Sequence, residues 1–281
     1  MIAGETKNHV TFVQSSEDEM APRKANSSIM SAALALAAAF GIADANADET
    51  DAKKLLKAMS DYMAAQTTIS FDYDTNFEVV TKDKQKLLLG SSGSITLTRP
   101  DKIRVMRHGG FANVEMIFDG KMLTLVNKET NNYSQVEAAG TVDQLTEALR
   151  EKFHRPLPGA DLLLSNPYEA LMADVTDVKD LGSGVFGGTE CDHLAFRQDQ
   201  VDWQIWIAQG DSPYPCRYVV TSKEVDQAPQ YSIQLSNWKA GSDVMADDFG
   251  FPNQANSAKV ELTELTDIDE LPESFRKGGA Q

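Results

Sequence analysis

The sequence predicts an α+β fold: a strongly curved antiparallel β-sheet, an open or half barrel, with helices packed on its concave side as a lid. Three observations lead there. Two runs of short segments carry apolar residues at every second position, one from Thr68 to Val136 and one from Lys179 to Lys239, which is the period of half-buried strands. Between them, residues 141–175 change to helical spacing. Taken together, the strands carry more apolar surface than a flat layer covers, and curving toward a barrel encloses it.

The N-terminus has a different pattern. Arg23 and Lys24 precede an apolar run from Met30 to Ala43 that ends at Ala45-Asn46-Ala47. A basic region, an apolar core too short to span a membrane and an A-x-A site make up a secretory signal. Residues 1–47 are therefore expected to be a signal peptide cleaved after Ala47, which sends the chain to the periplasm. Residues 1–19 are polar and precede the basic region, so Met20 is an alternative start. No cysteine lies near the cleavage point, which argues against a lipid anchor there. One domain is expected over residues 48–271, then a disordered tail over 272–281. The full chain has a formal charge of −16, and losing the leader leaves it strongly acidic. That balance argues against nucleic acid and against adsorption to anionic membranes.

Taken in order, Asp51 to Ala65 has Leu55, Leu56, Met59, Tyr62 and Met63 on one side, an amphipathic helix. Phe71, Tyr73, Thr75, Phe77 and Val79 then alternate with polar residues in a first strand. Further strands are expected at 85–89, 92–99, 102–107, 113–118, 122–127 and 132–136, with a hairpin at Asp119-Gly120. Thr141 caps a helix whose apolar side is Val142, Leu145, Ala148, Leu149 and Phe153, and Pro156 and Pro158 end it. A helical turn at 160–164 and a helix from Asn166-Pro167 to Val175 follow. The second set of strands lies at 179–186, 189–198, 201–207, 217–223 and 230–239.

No catalytic constellation emerges. G-x-S-x-G, C-x-x-C, H-E-x-x-H and Gly-rich phosphate loops are all missing from the sequence. Asp192 and His193 are adjacent in a strand and point to opposite faces, so they cannot act as orienter and base. Histidines at 9, 108, 154 and 193 form no pair at metal-ligand spacing. Cys191 and Cys216 sit in an exported chain, where a disulfide is allowed. Both also begin strands flanking Val201 to Ile207, which places them two strand spacings apart, roughly 9–10 Å, and the pairing stays open. No cofactor and no metal are expected, and the chain reads as a non-enzyme.

What remains is an apolar interior suited to acyl chains. The expected lining is Ile95, Leu97, Val105, Met116, Phe118, Leu123 and Leu125 from the strands, with Leu145 and Leu149 from the lid. Arg99 ends the face that carries Ile95 and Leu97, and Pro100 stops the strand behind it. It is either a solvated strand end or a charged donor at the cavity mouth.

GSITLTRPDKI from Gly93 to Ile103, with FDGKMLTLVNKETNNYSQV from Phe118, resembles the bacterial outer-membrane lipoprotein carrier family, the LolA/LolB-like superfamily. The helix after the signal, the Pro158 to Leu164 segment and the closing FGFPNQANSAKVEL are similar too. CDHLAF, VDWQIWI and PCRYVVT bring the chain nearest to a group of predicted periplasmic proteins. The part from Asp180 onward is longer than the carrier pattern, and the cysteine pair is foreign to it. The resemblance implies a soluble periplasmic carrier for acyl chains of lipoproteins or lipids, loaded or unloaded at an inner- or outer-membrane transfer complex, with Arg99 as the lid switch. The alternative it implies is a periplasmic sensor that binds lipidated ligands and a signalling partner.

Overall fold

Helix α1 (Ala45–Ala65) shows why its stripe was legible. Ala52, Leu56, Met59 and Met63 recur every three or four residues and are all fully buried. Its outer face carries Lys53–Glu49, Lys54–Asp51 and Lys57–Asp61 pairs, exposed and therefore worth little to stability. The computed structural model describes residues 45–110, 112–153, 157–266 and 268. The expected signal peptide up to Asp44, His9, His154, Pro156 and the tail at 272–281 lie outside the described residues.

The strands are β1 (Thr68–Val80), β2 (Lys86–Thr98), β3 (Lys102–Gly109), β4 (Asn113–Phe118), β5 (Met122–Asn127) and β6 (Asn132–Glu137), then β7 (Asp177–Phe186), β8 (Thr189–Arg197), β9 (Val201–Ala208), β10 (Pro215–Ser222), β11 (Gln230–Ala240) and β12 (Ala258–Lys259). They form one curved, unclosed sheet in the order β12-β6-β5-β4-β3-β2-β1-β11-β10-β9-β8-β7. All neighbours are antiparallel except the two-residue β12, which runs parallel to β6, so the sheet is the curved, essentially antiparallel one expected. The segments expected at 85–89 and 92–99 are a single strand, β2. Its Gly-Ser stretch stays paired because Gly93 leaves room for the Tyr73 ring, whose hydroxyl donates to the Met106 carbonyl at 3.0 Å. A Cβ at Gly93 would collide with both groups.

This strand order positions the helices. The chain lays down β1 to β6 toward one edge, reappears as β7 at the opposite edge, and works back until β11 pairs with β1. Residues 138–176 must therefore cross a face of the sheet. They do so as α2 (Val142–Glu151), a 3₁₀ turn (Ala160–Leu163) and α3 (Pro167–Met172). Thr141 and Gln144 form a reciprocal capping box at the start of α2, and the Asn166 side chain accepts from the Glu169 N–H at α3. α3 stops at Met172, short of the expected Val175, since Asp174 takes a positive φ of 58°. Val142, Leu145, Leu149, Leu162, Leu163 and Leu171 join α1 and the inner sides of the strands in one core, so this is the concave face.

On the other face, the Cys191 and Cys216 sulfurs are bonded, with their Cα atoms 6.9 Å apart. The two-strand separation argued from the sequence is shortened by a bulge. Cys191 faces Ala208, the last residue of β9, while β10 pairs through Pro215 and Arg217 and leaves Cys216 between them. Phe186, Trp206 and Tyr214 pack on this small cluster.

Candidate functional site

Beneath α2 and the 157–163 segment lies a partly enclosed apolar cavity. Its walls come from both halves of the sheet: Phe71, Ile95, Val105 and Met116 from one, Tyr231 and Ile233 from the other. Leu145 and Leu162 close it from the helical side, and Met63 from the end of α1. About 80 Å³ is open to the centre of a water molecule, far less than an acyl chain occupies.

Four of the nine expected lining residues, Ile95, Val105, Met116 and Leu145, meet at this cavity. The other five lie elsewhere. Leu97, Phe118, Leu123, Leu125 and Leu149 lie on the expected face but are sealed in the solid core, together with the buried stripe of α1 and Leu265. Tyr231, Ile233 and Leu235 of β11 supply the opposite wall instead. Their alternation was visible in the sequence, but their position across the cavity follows from β11 pairing with β1.

Arg99 sits just past the end of β2, outside the cavity lining. Its N–H donates to the Thr67 carbonyl at 2.8 Å, and Nη2 donates to the Met63 carbonyl at 3.4 Å. That carbonyl ends α1. The resemblance had implied a contact with the 141–175 lid. Nε is buried and has no hydrogen-bond partner. Burial lowers the guanidinium pKa, and the Asp143 charge acts in the opposite direction. Asp143 in turn accepts from the Ser165 N–H at 3.0 Å and from its hydroxyl, and the Val142 N–H donates to the Pro100 carbonyl at 2.9 Å. The ends of α1 and β2 and the start of α2 thus converge on Arg99-Pro100.

Asp192 and His193 lie on opposite sides of β8. Asp192 accepts from Gln209 Nε2 at 2.6 Å, while His193 bonds Gln204 Oε1 at 2.9 Å and stacks on Trp206 at 3.9 Å. Among the described residues, no group of three His, Cys, Asp or Glu side chains is arranged to hold a metal.

Residues 52–263 match the family described as predicted periplasmic protein, DUF2092. The chain belongs to this family. That agrees with the group expected from CDHLAF, VDWQIWI and PCRYVVT, and with the periplasmic location read from the leader. No curated protein matches the sequence. Among solved structures, the lipoprotein LppX of Mycobacterium tuberculosis is similar over 71% of this chain and 100% of its own, at 11% identity and a TM-score of 0.41. MucB is similar over 72% of this chain and 63% of its own, at 13% identity and a TM-score of 0.45. A LolA superfamily protein from Nitrosomonas europaea is similar over 68% and 94%, at 10% identity and a TM-score of 0.34. At such scores these likenesses carry no argument about function.

One feature of this DUF2092 chain escaped the sequence reading. Arg104, on the convex side of β3, donates to both carboxylate oxygens of Asp247 at 2.7 and 3.0 Å, to the Gly250 carbonyl at 3.1 Å, and to Glu115. These bonds raise the Arg104 pKa and lower that of Asp247. They fasten the segment after β11 across the outside of β3 to β5, where Phe249 is buried and Phe251 packs on Tyr133. The partners are far apart in the chain, so no local pattern announces them.

Proposed function

We propose that this chain is a non-catalytic periplasmic binding protein that takes acyl chains of a lipid or lipoprotein into the apolar cavity, with the α2–α3 segment as its lid. The observation that carries the reading is a partly enclosed cavity walled by apolar side chains from both halves of the sheet and covered by helical segments. Each methylene moved out of water into such a space contributes about 0.8 kcal/mol. The space now open is too small for a whole chain, so loading displaces α2 and the 157–163 turn outward. The polar ties that hold this segment to the rest of the fold include the Val142 N–H to the Pro100 carbonyl at 2.9 Å, the Tyr168 N–H to the Ser60 hydroxyl at 2.9 Å and the Gln198 side chain to the Ala173 carbonyl.

Native mass spectrometry of protein recovered from the periplasm, together with displacement of a fluorescent fatty acid, tests the reading. Co-purified lipid and saturable displacement are expected. Val105→Trp, at a half-buried wall position, should abolish both while the circular dichroism spectrum stays unchanged. A folded Val105→Trp protein that binds lipid as the parent does would sink the assignment.

A further inference from the structure

A second chamber adjoins the apolar cavity, and the two share Thr146, Leu157, Pro158, Gly159 and Tyr231 as a common wall. About 350 Å³ of it is open to water-molecule centres, and its lining is of another kind: Asp161, Arg150, Gln198 and Tyr218, with Trp203 behind. Tyr218 is 5% exposed, and its hydroxyl makes no hydrogen bond to the described residues, so this buried polar group faces the chamber unpartnered. Asp161, which lines the chamber and is exposed to solvent, makes no hydrogen bond or ion pair to them either. Arg150 feels the Asp161 charge, yet its ion pair is with the neighbouring Glu151, on the solvent side. Two opposite charges thus line one chamber without meeting.

We propose that this chamber holds the headgroup of the lipid whose chains enter the apolar cavity, and that the headgroup is a zwitterion, its ammonium against Asp161 and Tyr218 and its phosphate against Arg150. The proposal rests on the acyl-chain reading above. A neutral headgroup would leave both charges unmatched, and an anionic one would set its charge against Asp161. A zwitterion satisfies both at once, through charge-assisted hydrogen bonds and, at the phenol ring, cation–π attraction. Burial raises the Asp161 carboxyl pKa against the pull of Arg150, and burial followed by the Asp161 charge raises that of the Tyr218 phenol. An ammonium ion placed between them would pull the Asp161 pKa back down.

The test incubates the protein with vesicles holding equal parts of dioleoyl phosphatidylethanolamine, dioleoyl phosphatidylglycerol and dioleoylglycerol, and identifies the lipid it extracts by mass spectrometry. The ethanolamine lipid should be enriched roughly tenfold over each competitor, as one charge-assisted hydrogen bond allows. Asp161→Asn should erase the preference over phosphatidylglycerol, and Arg150→Gln the preference over dioleoylglycerol. Extraction in vesicle proportions, or an unaltered preference in Asp161→Asn, overturns the headgroup assignment and leaves the acyl-chain reading standing. Failure of the parent protein to extract any lipid overturns both. Both substituted side chains stand at the chamber lining, outside the core cluster, so folding is retained.

Discussion

Arg99 shows how far one side chain can be read in advance and where that stops. Alternation and Pro100 placed it at the end of an apolar face, but which carbonyl it meets depends on α1, which packs from elsewhere in the chain. Its burial is poorly compensated, with one long bond and an unpartnered Nε. Arg99→Leu is therefore expected to stabilise the fold, by on the order of 1 kcal/mol. Thermal melting reads the effect, and a lowered melting point would contradict the account. Gly93 makes the opposite case. Gly93→Ala drives a methyl group into the Tyr73 ring and the Met106 carbonyl and should cost at least about 2 kcal/mol in urea denaturation.

At the next scale up, elements were more legible than the space between them. The α1 stripe, the Thr141 cap and most strands follow from spacing alone, because each depends on neighbours a few residues away. The cavity does not, since one wall is β11 and the sequence offers no register between β11 and β1. The same limit explains why five of the nine expected lining residues are solid core: alternation shows which face a side chain takes, not what stands opposite it. The 3₁₀ turn carries a pH consequence. Asp161 has a folded-state pKa raised above its ordinary value near 3.8, so the fold is favoured where this carboxyl is protonated and loses that advantage as pH rises through the raised value. Asp161→Asn should thus show a higher urea midpoint than the parent at pH 7, with the gap closing as pH falls toward 3.8. A gap that widens on acidification would contradict this.

For the molecule as a whole, two ties hold distant stretches together. The Cys191–Cys216 bond closes a loop with a sequence separation of 25, and its reduction should remove about 2–4 kcal/mol. That loss is measurable as a lower urea midpoint in dithiothreitol. The Arg104–Asp247 fork lies mostly sheltered, with 19% and 18% side-chain exposure, and Arg104→Gln takes the paired cation from Asp247 while Glu115 keeps Lys128 at 2.9 Å. Hydrogen exchange of residues 247–257 should rise sharply in that variant, while exchange in β8 and β9 stays as it was.

The pairing of β1 with β11 also bears on how such a chain comes into being. Tyr231 on β11 is the partner of Phe77 on β1, so the middle of the sheet is stitched from the two ends of the polypeptide. A chain emerging N-terminus first from a translocation pore completes β1 to β6 early, yet β1 keeps a bare edge until nearly everything else has passed through. Bare edges recruit other strands. Distant pairing is also slow to form. The interval between the two arrivals is thus when this protein is most open to wrong partners, and a fragment ending before Gln230 should aggregate where the whole chain does not.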